Sequence, residues 1–91
     1  MTEASELSGC GESITRRPDV NPEEGIRAYG DVLFADPVNN KYPVDTREHV
    51  EAAWRYIHQE RDQAFYSPRD VACIESRIKK AGAAMGLVLK G

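Results

Sequence analysis

Two histidines, two cysteines and scattered serines and acids are the side chains of this 91-residue chain that could carry chemistry. His58 and Asp62 stand four residues apart, a helical spacing that can hold a metal ion. Two ligands are too few for a stable zinc site, and Cys73 would have to join them from another element. His49 could serve as a general base, but the Ser, His and Asp residues form no nucleophile elbow. Nor does the chain contain a Gly-rich phosphate loop or a paired-cysteine metal motif. The sequence therefore points to no catalytic residue, no metal ligand and no cofactor, and the chain is read as a non-enzyme. Cys10 and Cys73 are too few for the disulfide framework of a small secreted domain, and both are expected as reduced thiols. Helical geometry turns Cys73 toward Arg69 and Lys80, a basic setting that favours thiolate.

Charge offers a second kind of chemistry. Residues 1–25 hold two basic and six acidic groups, residues 26–66 five and seven, and residues 67–91 five and two. Only the last third is basic. Arg69, Arg77, Lys79 and Lys80 could make its helix a weak nucleic-acid contact, although the acidic remainder opposes approach to phosphate. The favoured expectation is a protein-interaction module, with another protein as partner. Its contact patch would be a half-exposed Tyr56 beside His49, or the apolar end at Leu87 and Leu89.

These groups need elements to hold them. Residues 1–22 are rich in Ser, Gly, Glu and Pro with isolated apolar residues, and are read as a disordered tail ahead of a domain over 23–91. Asn21-Pro22-Glu23-Glu24 carries the signals of a helix start, giving a short helix or turn over 22–29 with Ile26 and Tyr29 facing the core. Val32, Leu33 and Phe34 have no second apolar run to pair with, so they are read as an extended arm. Asp36-Pro37 and Asn39-Asn40 turn the chain, and Tyr42-Pro43 imposes an extended approach. Asp45 or Thr46 caps a helix over 46–61, whose stripe is Val50, Ala53, Trp54 and Ile57. His49, in its first turns, is expected to tie the Lys41-Tyr42-Pro43 arm. Ser67-Pro68 opens a helix over 68–85 with the stripe Val71, Ile74, Ile78, Ala81 and Met85. The expected fold is all-α: two main packed helices, whose core also receives Phe65 from the corner and Leu33, Phe34 and Tyr42 from the arm.

Phe34-Ala35-Asp36-Pro37, Asn40-Lys41-Tyr42-Pro43-Val44-Asp45-Thr46, Glu48-His49-Val50, Ala52-Ala53-Trp54 and Tyr66-Ser67-Pro68 together resemble a small domain family of unknown function found in bacterial and phage-encoded proteins. The resemblance spans about residues 32–85. It implies a compact helical domain and brings no catalytic residue with it. The longest apolar run, residues 81–89, covers roughly 14 Å as a helix, about half of a bilayer's hydrocarbon core. No membrane span is expected, and a cytoplasmic location follows by default.

Overall fold

Local signals set where each helix begins. The computed structural model describes residues 10–89. In it, Asn21 Oδ1 accepts from the Glu23 N–H at 3.1 Å and Pro22 takes the first helical position, opening α1, Pro22–Tyr29. Gly30 ends α1, its N–H donating to Ile26 O at 2.7 Å. Ile26 and Tyr29 do not reach the core as their spacing suggests; α1 buries no residue. It lies instead against the following turn. A Cβ on Gly25 would fall 2.4 Å from Asn40 O, so only glycine lets the helix approach so closely.

The all-α expectation fails at the arm. Phe34–Asp36 (β1) and Lys41–Pro43 (β2) form an antiparallel two-stranded sheet, with Phe34 opposite Pro43 and Asp36 opposite Lys41. The protein is therefore mixed α/β. β2 carries no apolar run, and three-residue strands are too short to show an alternating pattern. The hairpin is specified by its loop: Asp36 Oδ1 accepts from the Val38 and Asn39 N–H groups, each at 3.1 Å. Asn40 and Tyr42 hold positive φ, 55° and 62°. Tyr42 is thus left-handed rather than extended before its proline, a conformation costing about 1–2 kcal/mol in a non-glycine residue.

Thr46, not Asp45, caps α2, Arg47–Ile57: its Oγ1 accepts from the His49 N–H at 3.0 Å. The expected helix over 46–61 is broken at its end. His58 Nδ1–H donates to Trp54 O at 2.7 Å and Gln63 Nε2–H to Ile57 O at 3.0 Å, taking last-turn carbonyls. Gln59 is extended, and a single further turn, α3, covers Glu60–Gln63. Ser67 Oγ accepts from the Asp70 N–H at 3.1 Å and starts α4, Pro68–Ala84, as its sequence predicts.

α2 packs chiefly on α4. Val50, Ala53 and Ile57 meet Ile74, Ile78 and Ala81, with Ala35, Tyr42 and Val44 from the hairpin region closing the core. Trp54 and Val71 are half-buried at its edge. Leu33 and Phe65, expected inside, are 51% and 52% exposed. The largest departure is upstream. Residues 10–22, read from composition as part of a tail, pack onto the domain: Ile14 and Arg17 are buried, and Cys10 is joined to Cys73 in a disulfide. Both cysteines are therefore bonded, not reduced. The expectation for residues 1–9 lies outside the described residues.

Candidate functional site

The side chains with functional character fall into two clusters. The first borders a groove of about 440 Å³ between α1, the hairpin and α2. Tyr29 reaches it from the end of α1, Tyr42 from β2, and His49 and Tyr56 from positions about two turns apart on α2. Glu24, Lys41, Arg61 and Asp62 add two charges of each sign to its walls. His49 does not bind the arm as expected. Its Nδ1 lies 2.6 Å from Asp45 Oδ1 and must donate, since a carboxylate only accepts. The imidazole and the Tyr29 ring stand T-shaped at 5.2 Å between centroids, and Tyr29 in turn meets Phe34 at 6.3 Å. Asp45, half a cap by its sequence position, thus orients His49. Tyr29 and Tyr56 leave 45% and 44% of their surface exposed. The Tyr42 phenol is held neutral well above its usual range, first by burial and then by the Asp62 carboxylate.

The second cluster is buried. Asp36 accepts from the Val38 and Asn39 backbones, from Asn39 Nδ2 at 2.9 Å and from Tyr66 OH at 2.7 Å. Asn39 binds the upstream segment on both sides of its amide: Oδ1 accepts from the Arg17 N–H at 2.6 Å, and Nδ2 donates to Thr15 O at 3.1 Å. Arg17 donates to Tyr66 OH at 3.1 Å and, through Nη2, to Asp19 Oδ2 at 2.7 Å. Burial alone would push the Arg17 guanidinium down; its bonds to Asp19 and Tyr66 outweigh that and raise it. The same contact lowers Asp19. Burial pushes the Tyr66 phenol up, and the hydrogen bond it donates to Asp36 adds to the shift. Asp70 Oδ2, in the first turn of α4, accepts from the Thr15 N–H at 3.1 Å. Among the described residues no buried side-chain nitrogen or oxygen lacks a partner.

Of the basic residues considered for nucleic acid, Arg77 is 5% exposed and donates to Ala35 O at 2.7 Å and Phe34 O at 3.0 Å. It is a brace for β1, and burial lowers its affinity for the proton. Arg69, Lys79 and Lys80 are exposed on α4. Leu87 and Leu89 pack on the core, Leu89 folding over Gly82 beside Val50, so they offer little contact surface. Pro37 sits exposed in the hairpin loop, and Ser67 caps α4. His58 faces Glu75 at 3.5 Å rather than Asp62, and no group of three metal-binding side chains occurs among the described residues.

By sequence Tyr56 is expected beside His49, Tyr29 in the core, and Asp36 and Asn39 in a plain turn. The available signal was the Asp36-to-Asn39 spacing, which closes an Asx-type loop, Asp36 accepting from the Asn39 backbone and from its amide. Nothing in the local sequence linked Arg17 to it. No curated protein and no solved structure matches the chain. A family model matches residues 10–90, taking in the upstream segment that Arg17 anchors as well as the helices. The chain belongs to the family of unknown function DUF6582.

Proposed function

We propose that this domain is a non-catalytic protein-interaction module that takes an apolar or aromatic side chain of a partner protein into the groove between α1 and α2. One observation carries the reading: Tyr29 and Tyr56, each almost half exposed, flank a recess of about 440 Å³. That volume lies in the range of pockets that hold small ligands or single anchor groups. Tyrosine suits such a wall because it covers large area at low entropy cost and keeps a polar tip for the rim. His49, fixed by Asp45, gives the groove a rigid floor on its α2 side. The basic-helix alternative is left with Arg69, Lys79 and Lys80, since Arg77 is committed to β1.

A cytoplasmic setting belongs to the reading on one condition, that the Cys10–Cys73 bond be made and broken there. Disulfides in reducing compartments of mesophiles are usually transient. No helix among the described residues is long and apolar enough to cross a membrane.

The test is an amide-shift titration of the full chain with short peptides carrying a single Trp, Phe or Leu, against an all-polar control and a short DNA duplex at low salt. Saturable shifts at Tyr29, His49 and Tyr56 with an anchored peptide, lost in Tyr56→Ala, are expected. Peptides that leave these signals unmoved, or shifts only along Arg69, Lys79 and Lys80 with DNA, would reverse the reading.

A further inference from the structure

The Cys10–Cys73 bond lies away from the groove, and its surroundings are unusual for a purely structural staple. The two residues are 63 apart in sequence with Cα atoms 5.8 Å apart. Cys73 is 6% exposed, whereas Cys10 is half-buried. Three residues of α4 spaced by four, Arg69, Cys73 and Arg77, all grip the turn made by residues 10–13. Arg69 Nη2 donates to Ser13 O at 3.4 Å. The Arg77 guanidinium packs so closely on Gly11 that a Cβ there would fall 2.6 Å from Nη1. Beyond the turn, the upstream segment has anchors of its own: buried Ile14, the Thr15 bond to Asp70 and the Arg17 bond to Asn39.

We propose that the Cys10–Cys73 disulfide is a redox-operated clasp, opened by a dithiol reductant, that covers or uncovers a thiol set between two arginines on α4. Cys10 is the more exposed of the two residues, so its sulfur is the point of attack in this proposal. An incoming thiolate attacks it, the S–S bond breaks, and Cys73 leaves as a thiolate on the helix face that carries Arg69 and Arg77. Positive neighbours stabilise a departing thiolate and so speed exchange. The second thiol of the reductant then displaces Cys10 from the mixed disulfide. Two electrons pass from the dithiol to the cystine, the reductant closes its own disulfide, and its two protons end on Cys10 and Cys73. Because Ile14 and Arg17 hold independently of the bond, opening frees only the turn and leaves the domain folded. The open state bares Cys73 and the Nη1 side of Arg77, a surface the closed state hides.

The full chain, oxidised in air and then treated with dithiothreitol in native buffer, tests this by alkylation mass and amide exchange read together. Both cysteines should become alkylatable while core amides such as Val50 and Ile74 keep their protection. Loss should be confined to the Ser13 and Ile14 N–H groups, which bond to Cys10 O and Gly11 O; the Arg17 N–H should stay protected. Arg69→Gln should slow reduction several-fold at low salt, and an unchanged rate would overturn Cys73 as the leaving thiolate. Reduction only at the rate of global unfolding, or no bond after mild oxidation, would overturn the clasp itself. Cys10→Ser separates the same two outcomes without reductant: a folded chain with a loosened turn supports the clasp, and an unfolded one shows a staple.

Discussion

The two clusters of this domain use similar side chains to opposite ends. Around Asp36, a tyrosine, an arginine, an asparagine and a carboxylate are buried and mutually satisfied by contacts spanning 22 to 49 residues of sequence. Around His49, the imidazole meets Tyr29 in a T-shaped contact and Asp45 through an i, i+4 contact, while Tyr29 and Tyr56 leave much of their surface facing solvent. Fully paired polar networks in a low-dielectric interior specify one arrangement because any unpaired member is costly. A groove wall made of half-exposed rings specifies little about the fold and leaves area for a partner. The contrast separates the part of the molecule that defines its structure from the part available to do something.

Removing the centre of the buried network should have the largest effect. Asp36→Ala takes away the acceptor for two backbone N–H groups, Asn39 Nδ2 and Tyr66 OH at once, and removes the carboxylate that favours the buried Arg77 charge. A loss of about 3–5 kcal/mol is expected, enough to unfold a marginal small domain. Urea denaturation that places the variant within about 1 kcal/mol of the parent, on the scale of an ordinary surface change, would erase the distinction drawn between the clusters.

Next is the covalent tie. Cys10→Ser should cost about 2–4 kcal/mol, chiefly by freeing the unfolded chain from a closure of this length. The difference should vanish when parent and variant are compared under dithiothreitol. A variant as stable as the oxidised parent would mean that the upstream segment is held by Ile14 and Arg17 alone.

Tyr66→Phe sharpens the comparison by deleting one hydroxyl that both accepts from Arg17 and donates to Asp36; about 1–2 kcal/mol should be lost. It also carries a pH signature. The Tyr42 and Tyr66 phenols have folded pKa values raised above the unfolded value of about 10, so their contribution is complete below that pH and declines as pH rises through it. Each can add at most about 1.4 kcal/mol of instability per pH unit there. Denaturation midpoints taken from neutral pH upward should therefore fall less steeply in Tyr66→Phe than in the parent.

Much of the helical frame was legible because its signals are local. Asn21-Pro22 and Ser67-Pro68 name their helix starts, and the Val50 and Ile74 stripes name the packed faces. The hairpin was not, since Lys41-Tyr42-Pro43 has neither length nor alternation, and its register comes from the Asp36–Asn39 loop. The upstream segment was missed for a related reason. Its composition is that of a disordered chain, and what orders it is a handful of distant partners: Cys73, Asp70 and Asn39. At the groove, Tyr56 and His49 were found by helical spacing. Tyr29 was misplaced because amphipathic spacing in α1 indicates a face without saying whether anything covers it.

The smallest stability effect is expected from the change with the most functional weight. Tyr56 is 44% exposed on α2, where the Arg55 guanidinium stands 5.4 Å from its ring centroid. Truncation removes little buried area, so Tyr56→Ala should move stability by no more than about 0.5 kcal/mol. Binding should respond differently. An aromatic side chain at the centre of a contact typically accounts for about 2 kcal/mol or more, roughly thirtyfold in Kd. A near-silent stability result with a large loss of peptide affinity would fix the groove as the working surface. A stability loss of several kcal/mol would instead make Tyr56 part of the scaffold, and the groove would then be a seam in the fold rather than a place for a partner.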